Sequence, residues 1–534
     1  MRNFKIFLIL PTMLLFFAAC TDLEENLVGD ITEDINIEGI STGDDQGGSD
    51  ILGGAFAELR NSGTAFHSSY YSVNEIVSDE MVIAAKGGDW FDGGILVQLH
   101  QHTYTPVHSF ITNAWNGSYN AINTCNELIA NPALDNSQIS QVRALRAYFY
   151  YRLCDMYGNV KLITSPGMDE VQSDRAAVFA FVESELLDVL GVADVSAGFD
   201  PSGSALGTDV NPFRINLYGA LGILSKLYLN AEAFVGTAMY DKAALAAGYV
   251  IDNGPYQLCD AGCSVSNLGK RPAVDTDPDE LSGYAAVFAP NNDNNPEHIF
   301  VVEYDEVSAT GMNFSQMNLH YSSQFTWNFD AQPWNGYATL EEFYNSYESG
   351  DLRREASFIV GPQLDFGGSA VLDYASDDDD IQLSYTPAIN ELTPNSLREA
   401  GARPGKFSFK QLGRPEMNND YPIIRLGEMY LTRAEGLARA AGDWSLALPD
   451  VNEIRARAGV AAFGAIDADE FLAERGREMF QEASRRTDLI RFGKFNDAWW
   501  EKPASPAHVS LFPIPQDAID ASATGNPLTQ NPGY

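Results

Sequence analysis

The chain is short of positive charge. Against 73 Asp and Glu it carries 33 Lys and Arg, a net of −40 over 534 residues. A surface this negative repels phosphate backbones and anionic headgroups, which excludes a nucleic-acid binder. Histidine (7) and cysteine (5) are scarce as well. His100, His102 and His108 have no acidic or cysteine partner at ligand spacing, so no metal site is expected there. Asp373 with Asp377-Asp378-Asp379-Asp380 lacks the alternating pattern of a calcium loop and reads as a solvated charge run. Nucleophile-elbow, zinc-protease, Walker A and dinucleotide signatures are all missing. No catalytic residue and no cofactor is therefore assigned. Long apolar runs are missing too: after the first twenty residues no stretch reaches the ~18–20 that would span a bilayer.

What is present begins at the N-terminus. Arg2 and Lys5 precede an apolar run from Ile6 to Phe17, followed by Ala18-Ala19-Cys20. The run is too short to span and suits a secretory signal, residues 1–19. Leu15 to Cys20 resembles a bacterial lipobox, which implies that Cys20 is lipidated and becomes the new N-terminus. Loss of Arg2 and Lys5 would take the charge from −40 to −42. Thr21-Asp22-Leu23-Glu24-Glu25 is similar to acidic signals that route lipoproteins to the outer face of the outer membrane. Residues 20–50, rich in Asp, Glu, Gly, Ser and Thr, read as a flexible leader.

The composition beyond the leader is that of an ordinary folded protein, with 45% hydrophobic residues and 20% charged. Helical periodicity predicts segments over 50–61, 109–131, 137–158, 175–191, 212–234 and 240–253. A second block covers 421–441, 443–458 and 468–492. Within 421–441, Ile423, Leu426, Tyr430, Ala434 and Leu437 form an apolar stripe opposite Arg425, Glu428, Thr432, Glu435 and Arg439. Pro422 suits a first helical turn, and Gly427 and Gly436 permit close helix contact. Arg455, Arg457, Glu474, Arg475, Arg477, Glu478, Glu482, Arg485 and Arg486 read as ion-pair ladders, mostly on solvated faces. Helix pairs of this kind resemble tetratricopeptide units without a strict repeat. The expected fold class is mainly α, with helical regions 51–253 and 421–534 flanking an irregular, loop-rich region 254–420. A strand is expected at 298–304.

Of the remaining cysteines, Cys125 and Cys154 would lie about 16 Å apart along a helical hairpin, too far to bridge. They read as core thiols. Cys259-Asp260-Ala261-Gly262-Cys263 is a short loop in an exported chain, and a local disulfide is expected.

Two stretches pair aromatic rings with planar polar side chains, the combination that stacks on and hydrogen-bonds a sugar. One holds Asp79, then Trp90 and Asp92 in a glycine-rich loop. The other is Trp327-Asn328-Phe329-Asp330-Ala331-Gln332-Pro333-Trp334-Asn335. Trp90, Trp327 and Trp334 are the expected platform, with Asp79, Asp92 and Asn335 as hydroxyl partners. Core packing of each Trp is the competing reading.

Several segments, in order, resemble the SusD/RagB family of outer-membrane lipoproteins. They are Arg143 to Tyr150 running on to Met156-Tyr157-Gly158-Asn159-Val160; Tyr421 to Glu435; Val451 to Gly459; Glu474-Arg475-Gly476-Arg477-Glu478; and the end, Phe512-Pro513-Ile514-Pro515 with Asn526 to Tyr534. The resemblance implies four tetratricopeptide-like helix pairs supporting an irregular ligand-binding half. It implies a nutrient-binding role at the cell outer membrane, oligosaccharide ligands, and a SusC-like TonB-dependent transporter as partner. Peptides are the alternative ligand. A secreted glycoside hydrolase is the rival activity, because 73 carboxylates leave room for a catalytic pair.

Overall fold

The computed structural model describes residues 50–375, 381–522 and 524–534. Cys20, the signal segment and Asp377–Asp380 lie outside the described residues. Six helices of eight residues or more build the first block: α1 (Gly53–Asn61), α2 (Ser109–Ile129), α3 (Asn136–Met156), α4 (Arg175–Leu190), α5 (Leu217–Leu229) and α6 (Tyr240–Asn253). Their starts are set by local chemistry. The Asp135 carboxylate accepts from the Gln138 amide while the Gln138 side chain returns to the Asp135 amide, a full capping box. Asp174 and Asn216 cap α4 and α5 in the same way, each accepting from an amide three residues on. Consecutive helices pack on one another, α2 on α3, α3 on α4, α4 on α5 and α5 on α6, over one continuous core. Cys125 and Cys154 are buried within it as free thiols.

The second block departs from the periodicity. Residues 421–425 are strand, not helix: β2 (Tyr421–Arg425) pairs antiparallel with β1 (His298–Val302), Tyr421 opposite Val302 and Arg425 opposite His298. Pro422 sits next to a register shift in this ladder, where its missing N–H costs nothing, rather than in a first helical turn. The helix α7 (Leu426–Ala441) begins only after Arg425 and is followed by α8 (Leu448–Arg457), α9 (Ala468–Met479) and α10 (Arg485–Arg491). The run expected as one helix over 468–492 breaks at 480–484, where Gln481 and Ala483 adopt left-handed φ of 63° and 54°. α7 joins the blocks by lying along α6. Gly436 makes this possible, because a Cβ there would come within 2.7 Å of the Tyr240 carbonyl.

The stripe on α7 holds in part, with Leu426 and Ala434 buried as expected, but the opposite face is not solvated. Leu437 is exposed, whereas Arg425, Glu428, Thr432 and Glu435 are buried. The charges read as solvated faces are interior as well: Arg455, Arg457, Glu474, Arg475, Arg477, Glu478, Glu482, Arg485 and Arg486 are all buried. They form a matched network. Arg425 pairs with Glu297 (2.8 Å), Glu478 (2.7 Å) and Glu482 (2.6 Å). Arg457 pairs with Glu297 and Glu478, and Arg353 with Asp351, Glu474 and Glu478. Burial alone would raise the Glu478 carboxyl, but Arg457, Arg425 and Arg353 outweigh it and hold it well below the usual carboxylate range. Buried charge at this density requires such pairing, since an unmatched ion costs several kcal/mol of desolvation.

Residues 254–420 are mostly loop, with strands of two to five residues and short helical turns. Cys259 and Cys263 are bridged, with Cα atoms 5.2 Å apart. Two short pairings tie this irregular half together: Met81–Val82 against Ala338–Thr339, and Phe358–Ile359 against Arg403–Pro404.

Candidate functional site

The segment 316–323 is the backbone of the site. Residues 334–337 lie alongside it: the Trp334 amide donates to the Gln316 carbonyl (2.7 Å), Asn335 to Leu319 (2.8 Å), and Gly336 and Tyr337 both to Met317 (2.9 Å). This pairing turns the Trp334 ring outward, 40% exposed, and the Asn335 side chain fully inward. Asn335 holds a left-handed φ of 62°, and neither atom of its amide finds a partner among the described residues.

The glycine-rich loop folds over the same segment. Gly87, Trp90, Asp92, Gly93 and Gly94 all have positive φ, a conformation that glycine adopts freely and the other two do not. Trp90 is held there by three contacts. Its indole N–H donates to the Trp334 carbonyl at 2.6 Å. Its ring meets His67 edge-on, centroids 5.2 Å apart. It also lies on Gly336, where an added Cβ would stand 2.5 Å from the ring. His67 is neutral, since burial pulls its pKa down to about 4. Phe91, next in the loop, is exposed.

Polar groups fill the space between. The Tyr321 hydroxyl donates to the Asp89 carboxylate; burial, then Asp89, pushes its pKa up to about 12. The Gly87 amide donates to the Pro394 carbonyl (3.1 Å), which brings the 394–399 segment, with Asn395 and Arg398, to the loop's edge. On the far side of Tyr321 a second ring pair is exposed: Phe325 and Tyr374, centroids 6.1 Å apart and each 51% exposed. The Tyr374 amide donates to the Ser322 hydroxyl (3.3 Å). Rings that face solvent beside carboxylate, phenol and guanidinium groups can stack on a pyranose and bond its hydroxyls.

The structure thus brings Trp90, Trp334 and Asn335 together and leaves Asp92 on the exposed tip of the same loop. Trp327 is elsewhere, stacked on Phe329 at 5.8 Å and edge-on to Phe409 at 5.3 Å, half-buried against the core. Asp79 is bound to Arg485 through both carboxylate oxygens, 2.7 and 2.9 Å. Those contacts compete with any role at the platform. Asp89, Tyr321, Arg398, Phe325 and Tyr374 were not singled out from sequence. Asp89 adjoins Trp90, and Tyr321 and Phe325 lie within six residues of Trp327, so proximity was the available signal for those three. Nothing local distinguishes Arg398. The histidines considered for a metal are otherwise engaged: His100 meets the Trp500 carbonyl, His102 that of Val77 and His108 that of Ile95. Among the described residues no group of three or more His, Cys, Asp or Glu is placed to hold a metal, and no helix is long and apolar enough to cross a membrane.

Comparison with known proteins places this geometry. The sequence model of the SusD family matches residues 296–534. The starch-binding protein SusD of Bacteroides thetaiotaomicron is 24% identical over 447 residues, 74% of this chain and 73% of that protein. A SusD-like protein of Bacteroides ovatus is 23% identical over 415 residues, 73% of this chain and 67% of that one. Among solved structures, a laminarin-binding SusD-like protein matches with a TM-score of 0.64 at 21% identity, over 90% of this chain and 98% of that one. Surface glycan-binding protein A from Bacteroides thetaiotaomicron, in complex with laminarihexaose, matches with a TM-score of 0.65 at 20% identity and the same coverage. These structural likenesses establish a shared, mainly helical fold.

Proposed function

We propose that this chain, which belongs to the SusD/RagB family of binding proteins rather than enzymes, captures oligosaccharides at the cell surface and hands them to a TonB-dependent, SusC-like outer-membrane transporter. The relatives named for starch, laminarin and surface glycans support the ligand class. The observation that carries the reading here is the exposed Trp334 ring beside Trp90, whose indole is held to the Trp334 backbone carbonyl by one hydrogen bond, next to the Asp89–Tyr321 polar pair. Asn335 and Asp92 complete the proposed hydroxyl partners. The anchor is Cys20, lipidated after removal of residues 1–19. The multiple acyl chains of such an anchor would hold the protein to the membrane where a single chain would not.

The test is affinity electrophoresis of the mature protein against a glycan panel, followed by Trp90→Ala and Trp334→Ala on the best ligand. Each ring is expected to contribute about 1 kcal/mol, so each variant should weaken binding by about fivefold. Trp334, being more exposed, should do so with its melting temperature kept. Wild-type affinity in both variants would remove the platform. Recovery of shortened saccharide would replace the binder with a hydrolase.

A further inference from the structure

Buried cations without a carboxylate partner among the described residues stand behind the proposed platform. Lys86 and Arg403 are buried directly behind it. The Lys86 ammonium donates to the carbonyls of Ala84 (3.1 Å) and Gly336 (3.4 Å). Arg403 donates to the carbonyls of Tyr337 (3.3 Å) and Arg398 (2.5 Å) and lies 4.9 Å over the Tyr385 ring. Neither makes an ion pair among the described residues, in a chain where acids outnumber bases by more than two to one. Arg398, half-buried at the rim, also has no carboxylate partner there, and its Nε is buried with no acceptor, as is that of Arg403. Burial, then Arg403, lowers the Lys86 ammonium well below its ordinary range, with Arg398 adding to the effect. Among the described residues Asp89 and Glu399 act on these cations, Asp373 lies 3.3 Å from His320 beside them, and Asp89 already accepts from Tyr321.

Clustering like charges in a protein interior is unfavourable unless an anion completes the site. Resting on the platform described above, we infer that the saccharide bound there is acidic, a hexuronate-bearing oligosaccharide whose carboxylate pairs with the Arg398 guanidinium over the buried Arg403 and Lys86. A planar carboxylate matches the guanidinium fork with two parallel hydrogen bonds. The overall charge of −40 does not forbid this. At physiological ionic strength fields fade over about 8 Å in solvent, while charges partly buried beside the ligand are screened much less.

The experiment uses the mature protein and hexasaccharides of the common hexuronic acids, their carboxyl-reduced neutral counterparts, and sulfated hexasaccharides, by calorimetry at 150 mM salt. Wild type should bind a hexauronate about tenfold or more tighter than its reduced form, a difference of about 1.4 kcal/mol. Arg398→Gln should bring that preference below about twofold while the melting temperature holds. Arg414→Gln, an exposed cation away from the rim, should keep the preference. Equal affinity for acidic and reduced forms, or a preference that survives Arg398→Gln or falls equally in Arg414→Gln, overturns the inference. A sulfated ligand that outbinds every uronate overturns the carboxylate assignment. Neutral glycans bound in a Trp90- and Trp334-dependent way, with no acidic preference, would sink this inference and leave the proposed function standing. Binding of none would sink both.

Discussion

The closing helices and the surroundings of the proposed platform bury positive charge in opposite ways. Around α7–α10 the buried cations meet carboxylates: Arg425 has three, Arg353 three, and Arg491 pairs with Glu435 and Asp488 at 2.7 Å each. Behind the proposed platform, among the described residues, Lys86 and Arg403 meet carbonyls and a ring and no carboxylate. A matched network fixes how elements dock, since removing any member strands its partners. An unmatched cluster adds little to docking and leaves a field pointed at whatever binds. The contrast separates the region that holds the fold from the one behind the proposed platform.

The sharpest way to break the contrast is to unmatch the matched side. Arg425→Met leaves Glu297, Glu478 and Glu482 facing one another with fewer cations, and is expected to cost about 3–5 kcal/mol in urea unfolding. A loss under about 1 kcal/mol, the level of an exposed pair, would show that the network is dispensable.

A smaller effect comes from the carboxylate that the network covers least. Glu75 accepts from the Ala483 amide at 2.5 Å, and burial pushes its pKa up to about 7 despite that bond and Lys406. Its pKa is thus higher folded than unfolded, so the folded state holds the proton longer. Its contribution is fully present below about pH 4.5 and is lost as pH rises through about 7. Glu478 has the reverse sign, losing stability as pH falls through its depressed pKa. Glu75→Gln should therefore flatten the decline between pH 5 and pH 8 by about 1–3 kcal/mol, read from urea midpoints at each pH. An unchanged slope would mean that the carboxyl titrates normally.

The smallest expected effect sharpens the ligand side. Gly336→Ala puts a methyl into the Trp90 ring and within 2.9 Å of the Met317 carbonyl. Ligand affinity should fall about fivefold, matching loss of the ring. In a Trp90→Ala background the same change should leave affinity alone while still lowering the melting temperature through Met317. Equal affinity losses in both backgrounds would show that Gly336 acts on the backbone and not through the ring.

Much of the helical block was legible. Asp135, Asp174 and Asn216 mark helix starts by their own side-chain chemistry, and the 3.6-residue period continues from each. The expectation failed where period and burial conflict. Residues 421–441 carry a helical pattern, yet Ile423 and Ile424 enter a strand because His298–Val302 lies ready to pair. Arg425, Glu428 and Glu435 looked like a solvated stripe because sequence reports charge but not the partner that neutralises it. Of the expected platform, Trp90, Trp334 and Asn335 converge, whereas Trp327 and Asp79 found partners distant in sequence, Phe409 and Arg485.

The sequence by itself determined what local chemistry controls: the helix caps, the short disulfide loop, the glycine-rich loop around Trp90 and the order of segments that resemble the SusD/RagB family. Tertiary structure alone decided which charges are interior and which of them are matched. It set the side of each Trp that faces solvent, and it brought the segment carrying Arg398 to the edge of the Trp90 loop, some 300 residues earlier in the chain. Those outcomes depend on distances between remote segments, and only packing of the whole chain sets such distances.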